Sequence, residues 1–246
     1  LSKKTFEKYL TNEGKKIRVE EANILALDYI DQYPSIEEVD ISPWAKDKSI
    51  KPLLSLSNLT SLCLANKKSS LFAELPLFED KIKELIIIND SESIFDLDYI
   101  KNFKQIEKLD IRADSPDYIE NISLISNLKN LKTLFFPIWN ATDFDFKNQL
   151  PLLTLLYADL SWAENSLDNL SNLNTLMLDA YYENIFFDFK YLSPLRKLKS
   201  LTVSAGFLLS RPKNIEYISE LTSIEELCFD DREGLEITQE DINLNF

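Results

Sequence analysis

The sequence predicts an α/β solenoid of short parallel strands, and three observations predict it. A fifteen-residue frame is written twice: LDYIDQYPSIEEVDI begins at Leu27 and LDYIKNFKQIEKLDI begins at Leu97, 70 residues later. The ending of that frame, an apolar residue on each side of a variable one, recurs at Val39, Leu62, Leu85, Leu109, Leu134, Leu156, Leu176, Leu201 and Leu227. The steps between those anchors are 23, 23, 24, 25, 22, 20, 25 and 26 residues, so the 70-residue separation is the first three steps together. The duplicated frame is therefore two members of an array of nine, not a duplicated domain.

Each part of the frame has its own physical reading. The L-x-L segment alternates with period two, which points its two apolar residues inward and the residue between them outward. The upstream apolar residues fall at three- and four-residue steps, as in ISLISNLKNLKTLFF (122–136) and FKYLSPLRKLKSLTV (189–203). That spacing suits a short helix or a 3-10 turn. One repeat cannot bury its leucines alone, whereas stacked repeats bury them against neighbours in a quasi-one-dimensional core. The rival architecture, a parallel β-helix, carries more Gly and Asn at its turns, and this chain has only 3 glycines.

The ends of such an array need covering, because a bare terminal coil leaves leucines and a strand edge in water. KKIRVEE (15–21) alternates with Ile17 and Val19 inward, and Ile17 lies 22 residues before Val39, so it reads as a degenerate first strand. TFEKYL (5–10) is expected to cover it as a short helix, and EANILALDYIDQY (21–33) to lead as a helix into the first full repeat. After Phe229, DDREGLEITQEDINLNF lacks another L-x-x-L-x-L and reads as a C-terminal cap. No linker composition divides the chain, so one domain is expected over 1–246. It comprises an N-terminal cap (1–26), the repeats (27–229) and a C-terminal cap (230–246).

The full pattern, I-x-x-(I/L)-x-x-L-x-x-L-x-x-L-x-L, resembles the leucine-rich repeat in its internalin-like bacterial form, over roughly residues 27–230. The resemblance implies a right-handed solenoid shaped as a horseshoe or arc. It would hold about nine repeats of 20–26 residues, a parallel concave sheet, and short helices or 3-10 turns on the convex side. It also implies a protein-interaction or adhesion-type module. One departure concerns the Asn or Cys that such repeats place three residues after L-x-L. Here those positions hold Trp44, Lys67, Asp90, Asp114, Trp139, Ser161, Tyr181, Gly206 and Arg232. Trp44, Trp139 and Tyr181 are expected to fill the interior where that ladder is missing.

Composition excludes several functions. Lys plus Arg is 27 and Asp plus Glu is 41, for a net charge of −14, which repels phosphate backbones and argues against nucleic acid. A basic protein is the expected partner. There is no histidine, which removes the commonest general base and the commonest metal ligand. Cys63 and Cys228 lie seven strands apart, over 30 Å at roughly 4.8 Å per strand, so they cannot bond to each other within one chain. No apolar run is long enough for a membrane helix. NDSES (89–93) and FDDRE (229–233) read as solvated acidic turns without a cation-loop signature. No cofactor and no metal is expected. The default location is the cytoplasm; a leader removed upstream of Leu1 would make the protein secreted or surface-exposed.

Function then rests on the concave face. Its expected outward triplets are Glu38-Asp40-Ser42, Ser61-Cys63-Ala65, Glu84-Ile86-Ile88, Lys108-Asp110-Arg112, Thr133-Phe135-Pro137, Leu155-Tyr157-Asp159, Thr175-Met177-Asp179, Ser200-Thr202-Ser204 and Glu226-Cys228-Asp230. Acids outnumber bases eight to two across them. Phe135, Tyr157 and Met177 form an apolar column on three consecutive strands, with Asp159 and Asp179 as a solvent-facing charged rim. Ile86 and Asp110 extend the face toward the N-terminus. Trp162, Tyr182 and Phe207 fall one place past the ladder position, where they either widen the patch as an aromatic ridge or serve as core residues of irregular loops. The sequence thus points to a monomeric, non-enzymatic module with a basic protein partner. The alternative is an inhibitor or immunity protein that neutralises a basic toxin or enzyme. A carboxylate-dependent enzyme is a distant third.

Overall fold

The structure, a computed structural model, describes residues 9–19, 26–44, 49–65, 69–89, 94–137, 150–159, 167–180, 188–205 and 213–231. The chain forms two compact units, Leu1–Leu128 and Lys129–Phe246. Unit 1 holds β1 (Leu10–Thr11), β2 (Lys16–Val19), β3 (Glu38–Ile41), β4 (Ser61–Ala65), β5 (Glu84–Asn89), β6 (Phe95–Asp96), β7 (Lys108–Ala113) and β8 (Ile119–Glu120). Unit 2 holds β9 (Thr133–Phe136), β10 (Leu155–Asp159), β11 (Thr175–Ala180), β12 (Ser200–Ala205) and β13 (Glu226–Asp231).

Within each unit, every anchor of the sequence pattern is in register with its neighbour. In unit 1 the parallel partners run Ile17, Val39, Leu62, Leu85, Leu109. In unit 2 they run Leu134, Leu156, Leu176, Leu201, Leu227. The fold in each unit is therefore the expected solenoid of parallel strands. Between strands the chain makes short 3-10 segments, among them Lys51–Ser55, Leu75–Phe78, Leu97–Ile100, Phe189–Leu192 and Ile215–Glu220. The three-residue apolar step explains them: with three residues per turn, successive apolar side chains eclipse on one side. Leu53, Leu56, Leu59 and Leu62 follow that step and are all buried. Ile100, Phe103, Ile106 and Leu109 repeat it two coils later, and Leu192, Leu195, Leu198 and Leu201 repeat it in unit 2.

Backbone hydrogen bonds tie each coil to the one before it. The N–H of Thr60 donates to the Glu37 carbonyl at 2.9 Å, Lys83 to Thr60 at 2.8 Å and Glu107 to Lys83 at 2.7 Å. In unit 2 Asn174 donates to Thr154, Lys199 to Asn174 and Glu225 to Lys199, each at 2.8 Å. Side chains add to this ladder. Glu74 accepts from the Ile50 N–H at 2.7 Å and from the Ser49 hydroxyl at 2.8 Å, satisfying polar groups one coil upstream.

The same staple between adjacent coils is seen in both units. In unit 1 the Asp96 carboxylate caps Leu97–Ile100 by accepting from the Asp98 N–H, and it also accepts from Asn121 Nδ2, both at 2.8 Å. In unit 2 Asp188 caps Phe189–Leu192 by accepting from the Lys190 N–H and from Asn214 Nδ2, both at 2.9 Å. Both asparagines sit in the left-handed region, at φ 56 and φ 54, which asparagine tolerates better than most residues. The Asn214 amide is the main reason the Asp188 carboxyl lies below its ordinary value, with the Lys190 N–H and the Lys190 and Lys213 charges adding to it. A depressed folded value means stability that is present above the unfolded carboxylate range and lost as pH falls through the folded value. Asn214→Ala should therefore raise the Asp188 value toward that of a free side chain and weaken the acid dependence of unfolding. A carboxyl-carbon NMR titration reads the shift, and an unmoved Asp188 would break the assignment.

Four expectations need correction or completion. Leu10 is not helical: β1 pairs antiparallel with β2, Leu10 opposite Ile17, because Glu13 and Gly14 turn the chain back at φ 55 and φ 83. Residues 5–8 lie outside the described residues. The lead-in to the first repeat is a 3-10 helix over Ala26–Gln32, and 21–25 are not described. The C-terminal cap does not begin at 230, since β13 continues through Asp231 with Asp230 and Asp231 opposite Ser204 and Ala205; residues 232–246 lie outside the described residues. Trp44 does not fill the interior; it is 62% exposed, because the chain turns at Pro43–Trp44 and ends β3 at Ile41. Inward packing continues along lengthened strands instead, as at Asn89 on β5, which is fully buried and donates to the Tyr118 carbonyl at 3.4 Å. Trp139 and Tyr181 are outside the described residues.

Candidate protein-interaction surface

The outward residues of the strands form straight rows in each unit, because parallel partners stack directly. In unit 2 one row reads Phe135, Tyr157, Met177, Thr202, Cys228. Phe135, Tyr157, Met177 and Thr202 are half-buried and Cys228 is exposed. Phe135 and Tyr157 meet edge to face, with ring centroids 6.0 Å apart and planes at 78°. That arrangement places the positive edge of one ring on the negative face of the other. The apolar column expected from the sequence is therefore present on β9, β10 and β11.

Asp159 and Asp179 do not form the expected solvent-facing rim. They are 2% and 8% exposed, although strand alternation assigns them outward. They are direct partners on β10 and β11. Asp179 Oδ2 accepts a hydrogen bond from the Tyr157 hydroxyl at 2.9 Å. The two residues sit diagonally, two positions apart on adjacent strands, which is within reach of an aromatic side chain. The carboxylate thereby fixes the far end of the Tyr157 ring.

In unit 1 the corresponding row reads Arg18, Asp40, Cys63, Ile86, Asp110. Ile86 is half-buried on the outward side as expected. Asp110 is only 3% exposed, because Arg112 two residues on lies over it and donates from Nε at 3.0 Å and Nη2 at 2.7 Å. This two-point pairing was legible as a D-x-R spacing on one strand face. Arg18 pairs with Asp40 at 3.3 Å, Lys16 with Glu38 at 3.0 Å, and Lys108 with Glu84. Lys16 and Arg18 lie on the degenerate first strand, outside the nine outward triplets, and add two bases to this face.

Cys63 lies half-buried on β4, opposite Asp40 of β3. Burial, then the Asp40 charge and the hydrogen bond to Asp40, push its thiol up to about 12, so it stays protonated near neutrality. Trp162, Tyr182 and Phe207 lie outside the described residues. Among the described residues no group of three or more His, Cys, Asp or Glu could hold a metal ion, and no helix is long and apolar enough to cross a membrane.

No protein family and no curated protein matches the sequence. Solved structures do. Internalin C2 of Listeria monocytogenes is 20% identical, with 83% of this chain and 82% of that one aligned at a TM-score of 0.56. A second Listeria monocytogenes internalin, inlF, is 18% identical over 94% of this chain and 70% of its own at a TM-score of 0.52. The fold is an internalin-like leucine-rich repeat. A third neighbour is the Toll–Spätzle complex of Drosophila, 13% identical over 91% of this chain and 32% of that one, with a TM-score of 0.60. The rows described above are the outward side of the parallel sheet in each unit.

Proposed function

We propose that this leucine-rich repeat protein binds a basic protein through the outward face of its parallel sheet and catalyses no reaction of its own. The carrying observation is the column of Phe135, Tyr157 and Met177, half-buried on consecutive strands of a chain whose net charge is −14. Large apolar side chains at the centre of a polar face are the usual anchors of protein interfaces. The charge favours cationic partners and disfavours nucleic acid. The Toll–Spätzle complex, a neighbour at the level of fold, supports the reading.

The test is parallel capture from the native organism with wild-type bait and with Tyr157→Ala bait. A basic protein retained by the first and lost from the second is expected. Its dissociation should accelerate with a cost of about 2 kcal/mol or more, as for a central anchor. Retention by both baits, or loss from a Glu216→Lys bait altered on the 3-10 segment Ile215–Glu220, would place the partner elsewhere. The high negative charge also suits an inhibitor or immunity role, and there the captured protein would be an enzyme or toxin silenced by the complex.

A further inference from the structure

Met177 is the single methionine of the chain, and it lies on the outward column. Among the described residues the buried apolar side chains are Leu, Ile, Val, Phe and Ala. The register partners of Met177 are Tyr157 on β10 and Thr202 on β12, and all three are half-buried at the sheet surface. The Tyr157 hydroxyl reaches Asp179, two residues beyond Met177 on β11. The tyrosine ring therefore leans toward β11 and lies alongside the Met177 position. A thioether is soft and makes favourable contacts with aromatic rings. It is also an apolar group that a hydroperoxide converts into a polar one. The other two sulfurs are placed differently. Cys63 lies in unit 1, where burial and then the Asp40 charge push its thiol up to about 12, so little thiolate is present to react. Cys228 is exposed on β13, two strands from Met177 along the same row.

We infer that Met177 is an oxidation site that regulates docking on this face: a hydroperoxide converts it to the sulfoxide, and the sulfoxide form releases the partner. In that step the thioether sulfur attacks one peroxide oxygen. The S–O bond forms as the O–O bond breaks, and the sulfur loses two electrons to the peroxide. With hydrogen peroxide, the proton of the transferred oxygen passes to the departing hydroxide, which leaves as water. The product carries a hydrogen-bond acceptor where an apolar group stood. A partner side chain seated on the Phe135–Tyr157–Met177 column would cover that oxygen without replacing its hydrogen bonds to water, which is costly. The free protein bears no such cost, because the half-buried position leaves the oxygen in contact with water. Oxidation therefore acts on the complex and not on the fold. This inference rests on the column being the docking site, and it adds how that site is regulated.

The experiment uses the full chain and, as probe, a short fluorescein-labelled peptide of alternating leucine and arginine, with oligo-arginine as its control. Fluorescence anisotropy is read before and after hydrogen peroxide, and peptide mass mapping locates the added oxygen. Mapping should find it at Met177, and affinity for the leucine–arginine probe should fall about tenfold, as expected when a polar group is covered without a partner. Methionine sulfoxide reductase with dithiothreitol should restore the affinity, since two thiols remove the oxygen as water and leave a disulfide. Met177→Leu has no thioether, so its affinity, whatever its starting value, should be the same before and after peroxide. Met177→Gln, a permanently polar side chain, should bind as the oxidised wild type does. Absence of sulfoxide at Met177, an unmoved affinity once it has formed, or an equal fall in Met177→Leu would each overturn the switch and leave the column as the docking site. A reduced wild-type chain that binds the leucine–arginine probe no better than oligo-arginine, or no better than Tyr157→Ala binds it, would overturn the column itself.

Discussion

Leu134→Ala lowers the free energy of unfolding by about 2–5 kcal/mol, the range for removing a large aliphatic side chain from a packed core. Leu134 is fully buried on β9 and stands in register with Leu156 on β10. Truncation opens a cavity between coils that the stacked backbone cannot collapse around, because the inter-coil hydrogen bonds hold the strand spacing. Thr154 and Leu155 both donate to the Lys132 carbonyl, at 2.8 Å and 3.1 Å, just upstream of the affected residue. In a repeat array the loss spreads to nearest neighbours, so hydrogen exchange should accelerate in β10 as well as in β9. Chemical denaturation gives the magnitude. A change below about 1 kcal/mol, well under the core range, would mean that Leu134 is not the inward residue of its repeat.

Asp179→Lys should destabilise the protein by about 3 kcal/mol or more, the scale on which an uncompensated charge in a buried site is felt. The substitution removes the acceptor of the Tyr157 hydroxyl and puts a longer cationic side chain where only 8% of the residue is exposed. As an exposed rim charge, Asp179 would have allowed the reversal at little cost. Glu216→Lys supplies that comparison: it is exposed on the 3-10 segment Ile215–Glu220 and should shift stability by no more than about 0.5 kcal/mol. Equal, small effects of the two reversals would show that Asp179 is open to solvent after all. Asp179→Asn is the finer probe. It retains a side-chain oxygen that can accept from Tyr157 and removes only the charge, so its cost should fall between those of the other two.

The solenoid was legible because its cause is local and repeated. A period of two over L-x-L and a step of three upstream set which side of the chain is apolar, and nine copies in one register leave no other way to bury those leucines. Val39, Leu62, Leu85 and Leu109 thus appear as neighbours without any tertiary information, and so do the outward positions of Phe135, Tyr157 and Met177. What the period could not decide lay where it ends. Asp110, Asp159 and Asp179 are outward by alternation, yet they are buried. For two of them the cause is a neighbouring outward side chain: Arg112 folds over Asp110 from two residues along the strand, and Tyr157 reaches diagonally to Asp179 from the next strand. Trp44 left the interior because a turn at Pro43 intervened. The pairing of Lys16 and Arg18 with Glu38 and Asp40 required the degenerate first strand to be placed beside β3. The sequence by itself determined which residues form the core and which rows face outward, because periodicity acts within one strand. Only the tertiary structure decided which carboxylates on those rows are neutralised or covered, because that depends on side chains reaching along and between strands.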